Sequence, residues 1–263
     1  MAATVLLGDH GRRRAGMGDT FWQYRSAQAG DDLRSIDWRR SARADGNFVA
    51  DKEWQIAQSI MLWVDGSASM QFGSDANQPT KANRARTLAL AAAILLIRGG
   101  ERVGLTGQQL PPKRGEAQIG KMAEILTQDD TSDYGSPDTN GLLSHGRALF
   151  ISDFLGDIDA VEAALLKAAD RGVRGALLQI LDPQEETFPF DGRTIFRSMS
   201  GSLQHETLQA GDLRNRYLDR LAARKDRLAN LARTTGWQFQ THHTNAPAMT
   251  PLLWLYQALA RQS

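Results

Sequence analysis

The sequence predicts an α/β protein: a Rossmann-like, mostly parallel sheet with helices on both faces, preceded by an irregular N-terminal arm. Two observations carry this. Short apolar runs recur at residues 60–64, 148–151 and 176–181, and such runs read as strands buried on both faces, the kind found inside a parallel sheet. Between and after them lie longer stretches with helical period. Strands alternating with helices call for a parallel sheet covered on both sides, with right-handed crossovers. The arm is assigned to residues 1–55 and the α/β domain to 56–263.

The elements run in order along the chain. Residues 1–55 hold Gly8, Gly11, Gly16, Gly18, Gly30 and Gly46 with little periodicity, which predicts short, irregular elements. Residues 60–64 (Ile-Met-Leu-Trp-Val) form the first core strand. A polar loop leads to a helix over 81–98, capped by Thr80, stopped by Gly99-Gly100 and apolar nearly all round, hence buried. Residues 102–106 are a short strand, and Pro111-Pro112 are expected to end the segment after it. A modest helix spans 117–126, and residues 127–146, rich in Asp, Ser, Thr, Gly and Pro, form a loop. The strand at 147–151 ends at Ser152-Asp153, and the helix marked by Ile158, Val161, Leu165 and Ala168 stops at Gly172. The strand at 176–181 ends at Asp182-Pro183, and alternation about Gly201 predicts a hairpin over 194–208. A long helix behind Asp212 runs to Gly236, a strand follows at 237–240, and Thr250-Pro251 opens a last helix.

Composition excludes several classes. A net charge of +1 gives no overall attraction to nucleic acid, and the absence of cysteine rules out disulfides and thiolate metal sites while fitting a cytoplasmic location. The longest apolar run, residues 88–97, is about half of the ~20 residues a membrane span needs, so no span is expected. The start of the chain lacks the order of charge and apolar core that marks a signal peptide. No dinucleotide or phosphate-loop glycine pattern comes after a strand.

Three strands finish on an aspartate: Asp65, Asp153 and Asp182. Parallel strand ends share one edge, where open α/β sheets form their ligand crevice. Asp182, followed by Pro183, reads as a turn former. In Asp65-Gly66-Ser67-Ala68-Ser69 a chain that stays extended projects residues 65, 67 and 69 to one side. One carboxylate and two hydroxyls there suit a hard cation, Mg²⁺, Mn²⁺ or Ca²⁺, with Asp153 supplying the neighbouring carboxylate. In the arm, Asp32, Arg34, Asp37, Trp38, Arg39 and Arg40 form a candidate partner-binding face, with Trp38 and the arginines as anchors. The plainer reading of the same stretch is a solvated helical turn with ion pairs from Arg34 to Asp37 and from Asp37 to Arg40.

The Asp-x-Ser-x-Ser motif at residues 65–69 resembles the metal-ion-dependent adhesion site of von Willebrand factor A-type domains. Together with Gly-Asp-Asp-Leu-Arg-Ser-Ile-Asp-Trp-Arg-Arg-Ser-Ala-Arg at residues 30–43, it resembles the bacterial family called domain of unknown function 58. The resemblance implies a von Willebrand factor A-like fold, with Asp65, Ser67, Ser69 and Asp153 as ligands of one divalent ion. It also implies a loop threonine; Thr139 is the best candidate and Thr131 the next. Only seven residues separate Thr139 from Arg147, too few for the helix that normally comes after that ligand. Members of the family are associated with MoxR-type AAA+ ATPases, which implies a protein partner of that kind.

The resulting expectation is a non-enzymatic, metal-dependent adaptor. Its rival is an Mg²⁺-dependent hydrolase using Asp65 and Asp153. A serine esterase is disfavoured because Ala68 stands where a nucleophile elbow needs serine. His10, His145, His205, His242 and His243 have no ligand-like spacing and are expected at the surface or in turns.

Overall fold

The computed structural model describes residues 12–16, 20–28, 31–32, 36–43, 46–107, 110–201 and 204–260. The chain divides into two compact units, Asp9–Ala57 and Gln58–Arg261.

The N-terminal unit is more regular than expected. Strands β1 (Arg12–Gly16) and β2 (Thr20–Ser26), the short helical turn α1 (Trp38–Ser41) and strand β3 (Phe48–Ile56) succeed one another. β3 lies centrally between β1 and β2, antiparallel to both, and a register shift interrupts β2 between Phe21 and Gln23. Of the glycines that gave the segment its irregular texture, Gly16 ends β1 and Gly46 comes before β3, while Gly8, Gly11, Gly18 and Gly30 lie outside the described residues.

The second unit is the α/β domain. Its elements are β4 (Ser59–Val64), α2 (Lys81–Arg98), β5 (Arg102–Leu105), β6 (Leu110–Lys113), α3 (Glu116–Leu126), β7 (Arg147–Ser152), α4 (Ile158–Asp170), β8 (Arg174–Leu181), α5 (Pro183–Thr187), the hairpin β9 (Thr194–Arg197) and β10 (Gln204–Thr207), α6 (Gly211–Thr235), β11 (Gln238–His243) and α7 (Met249–Ala260). The six-stranded sheet has the order β11-β8-β7-β4-β5-β6. Counted within the sheet this is the doubly wound 3-2-1-4-5-6 arrangement, reversing direction at β4. All pairs are parallel except β5 with β6. Pro111 and Pro112 do not break β6, because an edge strand tolerates residues that cannot donate to a ladder.

Alternation along the strands sorts side chains onto two cores. Ile60 and Leu62 of β4, Leu149 and Ile151 of β7, and Leu178 and Ile180 of β8 pack with α2 and α7. Met61, Trp63, Ala148, Phe150 and Leu177 pack on the opposite face with α4 and α6. There the Trp63 and Phe150 rings meet edge-on at 6.0 Å and Phe150 meets Trp237 at 4.9 Å. The helix ends obey the expected chemistry. Thr80 accepts the Asn83 amide at 3.2 Å, and Gly236 closes α6 in the left-handed conformation. Among the described residues no helix is long and apolar enough to cross a membrane.

Candidate functional site

β4 and β7 are neighbours at the reversal of strand order, so their carboxyl ends flank the crevice position of a doubly wound sheet. Asp65 comes directly after β4 and Asp153 directly after β7, and both are buried. The Asp65 amide donates to the Ile151 carbonyl at 2.9 Å, extending the ladder to the edge.

The extended path expected beyond Asp65 stops at Ser67, and Ala68–Gln71 form a 3₁₀ turn. Its cause is local: one oxygen of Asp65 accepts the Ser67 amide at 2.8 Å, bending the chain as aspartate does in turns. The turn still joins the two hydroxyls, with Ser67 Oγ 3.3 Å from Ser69 Oγ. The loop after α3 laces it down, Ala68 donating to the Ser132 carbonyl and Ser69 to that of Asp133, both at 2.9 Å. The other Asp65 oxygen accepts the Ser152 hydroxyl at 2.6 Å. Gly135 roofs the carboxylate: a Cβ there would fall 2.3 Å from Asp65 Oδ1, so only glycine lets the loop close. Burial pushes the Asp65 carboxyl above the usual carboxylate range, and hydrogen bonds from Ser152 and Ser67 offset part of that.

Asp153 has a different partner. The ammonium of Lys81, the first residue of α2, lies 2.8 Å from Asp153 Oδ2 and 2.6 Å from Glu185 Oε1. The second Asp153 oxygen accepts the Leu155 amide at 3.0 Å. Lys81 is 1% exposed. Burial pulls its pKa down, but Asp153 and Glu185 together outweigh burial and hold the ammonium above the ordinary lysine value. Asp182 is a helix cap, as its turn reading implies. It caps α5 with Glu185 as the reciprocal residue of a capping box, and the Ser74 hydroxyl donates to it at 2.5 Å.

Thr139 is buried in the loop before β7, between Asp138, which lies against Gly107, and Gly141, which lies against Met61. These contacts decide how the residues fit a divalent ion. Asp65, Ser67 and Ser69 supply neighbouring oxygens, but Gly135 covers Asp65 and the Lys81 ammonium engages Asp153. As a set they do not fit the ion.

Sequence reasoning passed over Lys81, Glu185, Ser152 and Gly135. Two signals were present. A helix that begins with lysine and has no acid in its first turn opposes its own dipole, which asks for carboxylates from elsewhere. The spacing Asp182-x-x-Glu185 is that of a capping box. Among the described histidines placement differs in one case, and His10 lies outside the described residues. His242 is 4% exposed on β11, and burial, with Arg84 and His243 nearby, lowers its pKa to about 4.

A cleft of about 320 Å³ opens beside Asp65, lined also by Thr106, Arg86, Asp129 and Ser136. Arg86 pairs with Asp129 across it.

In the N-terminal unit, Asp37 acts as the N-cap of α1, accepting the Arg39 and Arg40 amides at 3.1 and 3.0 Å and the Tyr24 hydroxyl at 2.9 Å. The side-chain pairing of Asp37 with Arg40 expected from their spacing is replaced by this cap. The Arg40 guanidinium stacks on the Tyr24 ring at 4.3 Å, since its backbone amide already serves the carboxylate. Trp38 is 58% exposed, and Arg39 and Asp32 are exposed too. Arg34 lies outside the described residues.

The chain is similar to several known proteins. The uncharacterized protein Rv1480 of Mycobacterium tuberculosis is 29% identical over 251 residues, covering 88% of this chain and 75% of that protein. Mb1516 of Mycobacterium bovis, also uncharacterized, matches to the same extent. Among solved structures, BatB from Bacteroides thetaiotaomicron has a TM-score of 0.45 at 14% identity, covering 78% of this chain and 100% of that one. An aerotolerance-related membrane protein from Bacteroides fragilis has a TM-score of 0.44 at 15% identity, covering 77% and 98%. Residues 23–227 match the family described as "Protein of unknown function DUF58", spanning both the Asp37–Arg40 turn and the Asp65–Asp153 edge, and the chain belongs to that family.

Proposed function

We propose that this protein is a non-catalytic docking module that binds a partner protein at the carboxyl edge of its sheet. The partner implied by the family resemblance is an ATPase of the MoxR AAA+ type. One observation carries the reading: exposed apolar side chains stand on segments tied to the buried edge. Tyr134, 43% exposed, comes just after the residues that lace the Ser67 turn, and its Cβ packs against Gly156 just past Asp153. The Ser200 amide, in the turn of the β9–β10 hairpin, donates to Asp133 at 3.2 Å, so this hairpin joins the same loop. The hairpin presents Ile195 and Met199, each close to half exposed, and Leu208 stands beyond it. Apolar side chains held out on segments tied to one another are what a docking partner buries.

The hydrolase reading finds less support. The Lys81 ammonium is paired with Asp153 and Gly135 closes over Asp65, so neither carboxylate stands open to a metal-bound substrate. The test is co-purification of the tagged chain with a co-expressed MoxR-type ATPase. Tyr134→Ala with Met199→Asp is expected to abolish capture while leaving the melting temperature unchanged. Capture that persists undiminished in this variant would place docking elsewhere.

A further inference from the structure

Lys81 is an unusual residue to bury. It opens α2 at the positive end of the helix dipole, with Arg84 and Arg86 close behind and no acid in the first turn. Nothing in the helix itself favours an ammonium there, and burial opposes one. What holds it is a pair of carboxylates from distant parts of the chain, Asp153 after β7 and Glu185 in α5. The Phe72 ring lies 5.7 Å from the same nitrogen, and the Lys81 amide is anchored to the Phe72 carbonyl at 3.1 Å. Each carboxylate is also fixed on its other oxygen, Asp153 by the Leu155 amide and Glu185 by the Asp182 amide at 2.9 Å. The result is a closed group in which the negative charge at the end of β7 is already answered from inside the protein.

We propose that the Lys81 ammonium is the resident cation of this edge. It is a tethered charge that does for Asp153 what a bound divalent ion would do, so the edge is assembled without metal. A divalent ion on Asp153 would have to displace the ammonium or lie beside it where no water screens the repulsion. The Asp65–Ser67–Ser69 half of the motif then serves as a turn lock, its oxygens engaged by Ser152, the Ser67 amide and one another. This inference does not depend on which partner docks.

The test is Mn²⁺ titration of the full chain, read by electron paramagnetic resonance and calorimetry, with Mg²⁺ as competitor. The native protein is expected to show no saturable site up to millimolar metal. Lys81→Ala, which leaves Asp153 and Glu185 around the vacated space, is expected to acquire one, binding Mn²⁺ about ten-fold or more tighter than the native chain. Binding of one ion by the native protein, lost in Ser67→Ala with Ser69→Ala, would overturn the proposal. So would a Lys81→Ala protein that folds and gains no affinity. If Lys81→Ala folds only with Mg²⁺ or Mn²⁺ present, that dependence supports it. Should the variant fail to fold under any condition, the native titration decides alone.

Discussion

Two regions use the same ingredients, aspartate beside a basic residue, and put them to opposite uses. At the carboxyl edge Asp153 meets Lys81 with both side chains 1% exposed. In the N-terminal unit Asp37 spends its carboxylate on amides of its own turn while Arg39 and Arg40 face solvent. Burial makes the first pair obligatory, because removing Lys81 strands the Asp153 charge where water cannot reach it. Exposure makes the second dispensable to the fold and leaves its charged and aromatic side chains accessible. The same pair of residue types therefore says little about role until the depth of each residue is known.

The sharpest way to break this comparison is Lys81→Met, which keeps the bulk and deletes the charge. Loss of one member of a buried pair is expected to cost about 3–5 kcal/mol in urea unfolding. A cost under about 1 kcal/mol would put Lys81 in the same class as a surface ion pair. Glu101 sharpens the contrast, because it is buried like Asp153 but has no ammonium against it among the described residues. Burial pushes its carboxyl up to about 7, and the Gln58 amide, with Arg114 and Arg102 more weakly, offsets only part. A carboxyl raised on folding contributes stability that is full below about pH 4.5 and is lost as pH rises through about 7. Glu101→Gln should remove that slope, gaining on the order of 3 kcal/mol relative to the native chain between pH 4 and pH 8. Parallel pH–stability curves for the two proteins would contradict it. The smallest effect belongs to Asp37→Ala. It should speed amide exchange at Arg39 and Arg40 and leave the melting temperature of the α/β domain where it was.

Much of the fold was legible because its signals are local. The apolar run before Asp65, the Thr80 cap, the Gly236 stop and the Asp182-Pro183 turn each depend on residues close in sequence, and each stands where its chemistry puts it. The N-terminal strands were missed because glycines between short strands resemble a structureless segment. The site was half legible. The Ser67 and Ser69 hydroxyls do meet, though through a turn and not an extended strand. What joins Lys81 to Asp153 and Glu185 spans 72 and 104 residues of chain, and no local pattern announces a contact of that kind. Only the misfit of a lysine at a helix start hinted that distant carboxylates were needed.

The central claim, that a protein-borne ammonium neutralises the strand-end carboxylate, can be read directly by ¹⁵N NMR of the lysine side chains. A slowly exchanging Lys81 ammonium signal, identified by its absence in Lys81→Met and unmoved by millimolar Mg²⁺, is the expected result. A Lys81 signal that exchanges like a surface lysine, or that shifts and saturates as Mg²⁺ is added, would contradict it.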